Sequence, residues 1–275
     1  MTATLQNGAS LAYEEHDFTA PWESTEPLIL VHGFSKNRSF WYSWISGLAA
    51  RYRVIRLDQR GHGDSSPLPP GFQMALRPFS EDLVQFLDAL RIERAHFVMA
   101  EFTSAVAVDF AATFPDRIRS LTLPGFGYNY RNSTVDRSEW VRLAEQEGAA
   151  AWARATNRYR LPLDANSAMR EWYINEQARM PGWVLGGLFR FNANLDLTDR
   201  LHEMSVPTLI IAGTEARQGT IEDAQLAAKL IPACRLAVLE GMPFNVMSAA
   251  PERCVAETLR FLDDLHAGRP INGDV

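Results

Sequence analysis

The sequence predicts an α/β fold: a mostly parallel central sheet with helices on both faces, carrying an all-helical insertion. Three observations predict it. Short apolar runs of strand length alternate with amphipathic helical patterns, which implies parallel strands joined by covering helices. That alternation stops between Gly127 and Ser205, where only helix-like segments occur. It then resumes with two more apolar runs and a closing amphipathic helix. The division read from this is a core of residues 1–126 and 206–275, with a helical lid of residues 127–205.

Each element follows from local pattern. Leu5 to Glu15 alternates with period two and reads as a first strand. Pro27 to Val31 is a short continuous apolar run, as expected of a strand buried on both faces, and Arg53 to Leu57 is the next. Ser80 to Leu90 reads as a helix, with Ser80 as N-cap and Leu83, Phe86, Leu87 and Leu90 on one face. From His96 to Phe110 the chain reads as strand, tight turn and helix, and Ser120 to Leu123 as another strand. The insertion holds helix-like segments at Ser138–Glu147, Ala149–Tyr159, Ala165–Met180 and Trp183–Phe191. Pro207–Gly213 and Cys234–Leu239 are buried strands, Pro251–Leu265 is a helix, and the tail after His266 reads as frayed.

Bulk properties narrow the functional class. A chain of 275 residues, 47% hydrophobic and 22% charged, suits a soluble globular enzyme. A net charge of −6 argues against nucleic-acid or anionic-membrane partners. No apolar run is long enough to span a bilayer, and Met1 to Glu15 lacks a signal-peptide pattern. With only Cys234 and Cys254 present, a reduced, cytoplasmic setting is expected. There is no glycine-rich nucleotide loop and no His/Cys cluster, so neither cofactor nor metal is expected. The expectation is a monomer or homodimer acting on a small molecule. Lys36 and Lys229 are the only lysines among 27 basic residues, read here as a compositional bias.

The order Val31-His32-Gly33-Phe34, then Asp58-Gln59-Arg60-Gly61-His62-Gly63-Asp64-Ser65, then the strand-turn-helix at Glu101 resembles the α/β-hydrolase superfamily. Within it the chain is similar to the lidded group of enol-lactone hydrolases, C–C bond hydrolases, haloperoxidase-like esterases and epoxide hydrolases. The resemblance covers Leu5–Gly125 and Pro207–Leu265. It implies that Asp58–Ser65 braces the sheet, and that the backbone N–H groups of Phe34 and Phe102 form an oxyanion hole.

The resemblance also exposes a departure. The family's nucleophile turn reads Gly-x-Ser-x-Gly, and here Met99, Glu101 and Thr103 stand at those positions. The acid position holds Ala216, with Glu215 one residue early, and the histidine position holds Phe244. None of the other histidines substitutes: His32 and His62 belong to bracing loops, His96 starts a strand, and His16, His202 and His266 are peripheral. Ser–His–acid hydrolysis needs an imidazole base, so that route is closed.

Three readings remain. The first makes Glu101 a catalytic acid or base for isomerase-, cyclase- or lyase-type proton transfer on an apolar or aromatic substrate. Burial disfavours a charged carboxyl, while the turn's N–H groups and the helix dipole favour it. The second is an atypical hydrolase in which Glu101 is nucleophile or water activator. The third is a binding protein that has lost catalysis. Pocket-lining residues are expected at His32, Phe244, Trp140, Trp152 and Trp183. The lid also carries Arg131, Arg137, Arg142, Arg154, Arg158, Arg160, Arg170, Arg179 and Arg190, mostly solvated; one reaching inward could pair with Glu101 or clamp a carboxylate.

Overall fold

The computed structural model describes the chain except residues 132, 158, 159, 162–164, 272 and 275. Strands β1 (Thr2–Thr4) and β2 (Ser10–His16) form an antiparallel hairpin. The strand predicted over Leu5–Glu15 therefore starts at Ser10, and the residues before it are turn. Residue-type alternation runs on through the turn, but Gly8, at φ +84°, reverses the chain. The remaining strands are β3 (Pro27–Val31), β4 (Arg53–Leu57), β5 (Ala95–Met99), β6 (Ile118–Pro124), β7 (Thr208–Gly213), β8 (Cys234–Leu239) and β9 (Gly273–Asp274). Among the described residues they form one sheet in the order β1-β2-β4-β3-β5-β6-β7-β8-β9. Pairings from β4 through to β9 are parallel. The tail predicted to fray instead returns to pair Gly273 with Arg235 as a short edge strand.

Helices α1 (Tyr42–Leu48), α2 (Arg77–Ala89) and α3 (Thr103–Thr113) precede the insertion. Ser80 is inside α2, not its N-cap: the helix starts at Arg77, with Pro78 in the first turn, where a missing N–H costs nothing. Between β6 and β7 come α4 (Arg137–Arg142), which continues into a π-helical turn, α5 (Ala149–Thr156), α6 (Ser167–Ala178) and α7 (Gly182–Ala193). The predicted insertion helices are all present with shifted ends; Arg158 and Tyr159 lie outside the described residues. After it come α8 (Ile221–Leu230), α9 (Val246–Ala249) and α10 (Pro251–His266).

Successive residues of β3 explain the unbroken apolar runs. Ile29 and Val31 enter the cluster containing α2 and α3, whereas Leu28 and Leu30 enter the opposite cluster with α1 and α10. Both faces are buried, so both strand phases must be apolar. Helix α3 is buried nearly all round, which is why it shows no polar face. Cys234 and Cys254 are buried free thiols. Among the described residues, no helix is long and apolar enough to cross a membrane.

Candidate active site

The central parallel strands end beside one another, and the loops leaving them build the site, as is usual for open α/β sheets. Ala100, Glu101 and Phe102 connect β5 to α3. Glu101 sits at φ +58°, a left-handed conformation that is strained for a residue with a side chain. The turn is pinned locally. Glu101 N donates to Pro124 O (3.1 Å), and Thr103 Oγ1 donates to Ala100 O (2.8 Å). Ser104 donates its hydroxyl to Glu101 O and accepts from Gly127 N (2.9 Å), so it is structural and stands in the first turn of the helix. The apex of the elbow is Glu101, as the sequence placed it.

The Glu101 side chain is buried, and its Oε1 receives two donors. Lys36 Nζ forms a buried ion pair with it, and Asn245 Nδ2 donates at 2.8 Å. Lys36 comes from the loop after β3, whose neighbours are tied to α6: Gln177 donates to Ser35 Oγ (3.2 Å) and Asn37 donates to Glu176 (2.5 Å). Burial pushes the Lys36 pKa below the usual lysine range, with the adjacent Glu101 opposing the shift. Oε2 has no hydrogen-bond partner among the described residues and packs where a side chain at Gly33 would stand. A glycine is therefore required at position 33.

Around this pair lies an inner chamber of about 50 Å³, lined by Phe34, Phe102, Tyr130, Arg137, Trp140, Trp152, Arg160, Phe189, Asn192, Gln218 and Phe244 besides Ser35, Lys36, Glu101 and Asn245. It adjoins an outer chamber of about 340 Å³, with Trp140, Arg160, Gln218, Phe244 and Asn245 shared between the two. The Phe34 and Phe102 rings stack at 3.5 Å between centroids. Their backbone N–H groups donate to nothing among the described residues, so both are available to a ligand. Trp140 and Trp152 each pack on Phe189 at 5.2 Å.

Two expected pocket residues are corrected. His32 is fully buried but outside both chambers: Nδ1 donates to Gly33 O (2.8 Å) and Nε2 accepts from Gln59 N (3.1 Å), leaving neither nitrogen for chemistry. Burial lowers its pKa to about 4, so it stays neutral. Trp183 is 45% exposed, because α7 buries the face of Val184, Leu185, Leu188 and Phe189 and turns Trp183 to solvent. Ala216 lies in the loop after β7 and lines neither chamber, and Glu215 is exposed. No histidine lines the inner chamber among the described residues. The bracing loop behaves as expected: Asp58 is buried and accepts from Arg38 N (2.6 Å) and Asp64 N (2.9 Å).

Lys36 and Asn245 were not anticipated. A near absence of lysine across the chain was the available signal for the first. For the second, only its place beside Phe244 could have drawn attention.

A family model for the alpha/beta hydrolase fold matches residues 26–235. The chain belongs to the α/β-hydrolase family. It is 25% identical over 227 residues to 3-oxoadipate enol-lactonase 1 of Acinetobacter baylyi, spanning 80% of this chain and 82% of that protein. In structure this α/β-hydrolase is similar to the enol-lactonase from Burkholderia xenovorans LB400, with a TM-score of 0.86 at 21% identity over 96% of this chain and 100% of the other. It is also similar to a meta-cleavage product hydrolase from Pseudomonas fluorescens IP01, with a TM-score of 0.79 at 20% identity over 96% and 98% of the two chains. These structural likenesses carry the fold. The relatives named are hydrolases.

Proposed function

We propose that this α/β-hydrolase hydrolyses a small ester, lactone or related carbonyl substrate, with Glu101 activating water in place of a serine nucleophile. The three triad positions of the family hold Glu101, Ala216 and Phe244, so the triad is degenerate and the carboxylate carries the proton chemistry. One observation carries the reading: a carboxylate at the elbow apex, inside a covered cavity, has Oε1 clamped by Lys36 and Asn245 and Oε2 unbonded. In the proposed step, Oε2 accepts a proton from water as the water oxygen bonds to the carbonyl carbon. The C=O electron pair moves onto oxygen, where the Phe34 and Phe102 N–H groups stabilise it. Collapse breaks the bond to the leaving group, which takes up the proton now on Glu101. Lys36, next to Oε1, stabilises the carboxylate when it re-forms. Hydrolysis by relatives raises this reading above the non-hydrolytic one that the sequence favoured.

The second reading, proton transfer without water addition, is favoured by the missing histidine and by the apolar walls of the chamber. A pure binding role has no use for a strained turn that buries a carboxylate, since both features cost stability. Turnover of a lactone and ester panel in H₂¹⁸O separates the possibilities. Hydrolysis puts one ¹⁸O into the product acid; substrate consumption without ¹⁸O would instead support isomerisation or elimination. No turnover of any substrate would count against both catalytic readings.

A further inference from the structure

We infer that the cavity takes a ligand bearing a carboxylate on an aromatic or apolar body, with the carboxylate held by Arg160 and Arg137. The inference rests on the site proposed above for its location only. Its grounds are the two guanidinium groups.

Arg160 is 8% exposed, and among the described residues its hydrogen bonds all leave from Nη2: to Ala153 O (3.3 Å), Thr156 Oγ1 (2.6 Å) and Asn157 Oδ1 (3.0 Å). Its Nε is buried without a partner, and its guanidinium lies 4.0 Å from the Trp152 ring centroid. Arg137 donates from Nη2 to Gln218 (3.1 Å), lies 4.8 Å from the Tyr130 ring centroid, and likewise has a buried, unpartnered Nε. Neither arginine forms a salt bridge among the described residues.

Several other buried and half-buried guanidiniums in this fold have carboxylate partners. Arg60 pairs with Asp82, Arg235 with Asp264, and Arg38 with Glu14, Asp58 and Asp64. Among the described residues of the inner chamber three cations, Lys36, Arg137 and Arg160, face the single carboxylate of Glu101, and that carboxylate is paired with Lys36. The acids of the outer chamber are engaged as well. Asp136 caps α4 by accepting from Glu139 N (3.1 Å), and Glu139 pairs with Arg142.

A guanidinium withdrawn from water without an anion is costly, and its planar fork matches a carboxylate. Arg160 borders both chambers, so an anion on it leaves the rest of the ligand room among Trp140 and Phe244 in the larger one. A single carboxylate suits the few free donors better than a dianion.

The test is calorimetric titration of the wild-type protein with 3-phenylpropionate and its neutral isostere 3-phenylpropanamide at fixed ionic strength. The acid is expected to bind at least 10-fold more tightly. Arg160→Gln should remove most of that preference and Arg137→Gln part of it, while Arg160→Lys should restore some. Equal binding of acid and amide, binding of neither, or a preference that survives both glutamine variants would overturn the inference. If Arg160→Gln does not fold, the wild-type ratio and Arg137→Gln decide the matter. Turnover does not enter the readout. Acid-selective binding without ¹⁸O incorporation would sink the hydrolytic reading and leave this one standing, and ¹⁸O incorporation with no charge preference would do the reverse.

Discussion

Lys36→Met removes one partner of the buried pair and leaves the Glu101 carboxylate in the cavity. Both side chains are nearly inaccessible, at 1% and 9%, so water cannot replace the lost ammonium. Breaking a buried pair from one side costs about 3–5 kcal/mol. Asn245 still donates to Oε1, and Arg160 remains close enough to attract the carboxylate, which places the loss near the lower figure. At roughly 2–4 °C per kcal/mol for a chain of this size, Tm should fall by about 6–12 °C. Adding Glu101→Gln removes the second charge and should recover most of the loss. Urea unfolding of the four proteins at pH 7, followed by tryptophan fluorescence, measures the coupling. Wild-type stability in Lys36→Met, or strict additivity in the double variant, would refute the pairing argument.

Other outcomes follow from the same geometry. Gly33→Ala puts a methyl against Oε2 and Cβ of Glu101 and should lower kcat by about 100-fold, the cost of misplacing a reacting group by an ångström. A Tm within a few degrees of wild type would show that the effect is positional. A fluorophosphonate probe should leave every serine unlabelled by intact-mass measurement, because Ser104 is held by Glu101 O and Gly127 N and, among the described residues, no histidine hydrogen-bonds to it; stoichiometric labelling would reveal a missed nucleophile. Burial holds His32 near a pKa of about 4 and His62 near about 3, whereas in the unfolded chain both return towards about 6.5. Below pH 6.5 the unfolded state therefore binds more protons, and stability should drop by about 1.4 kcal/mol per pH unit for each histidine until the folded values are reached. Urea unfolding at pH 6.5 and pH 5 checks this, and a flat response would contradict it.

Much of the architecture was legible because it depends on burial alone. The runs Pro27–Val31, Arg53–Leu57 and Cys234–Leu239 match their strands end to end. Strands covered on both faces read as near-continuous apolar runs; Arg53, Arg56 and Arg235 interrupt them, and each pairs with an acid. Boundaries set by turn and cap chemistry were harder to read, as at Gly8 and at the Arg77-Pro78 helix start. In the site, Glu101 was legible because the elbow is a local pattern of strand, turn and helix. Lys36, Asn245, Arg137 and Arg160 converge from four separate loops and helices, and nothing local in the sequence marks that convergence. His32 was misplaced for a related reason: proximity to Gly33 in sequence says nothing about which way its ring turns.

The central claim is that the Glu101 carboxylate moves the proton in the reaction. Glu101→Gln keeps the shape and a hydrogen-bonding group for Asn245 but removes the base. On the substrate identified by ¹⁸O incorporation, this variant should bind within a few-fold of wild type and lose about 100-fold or more in kcat, the scale of a general-base contribution. Undiminished kcat in a folded Glu101→Gln protein would contradict the account.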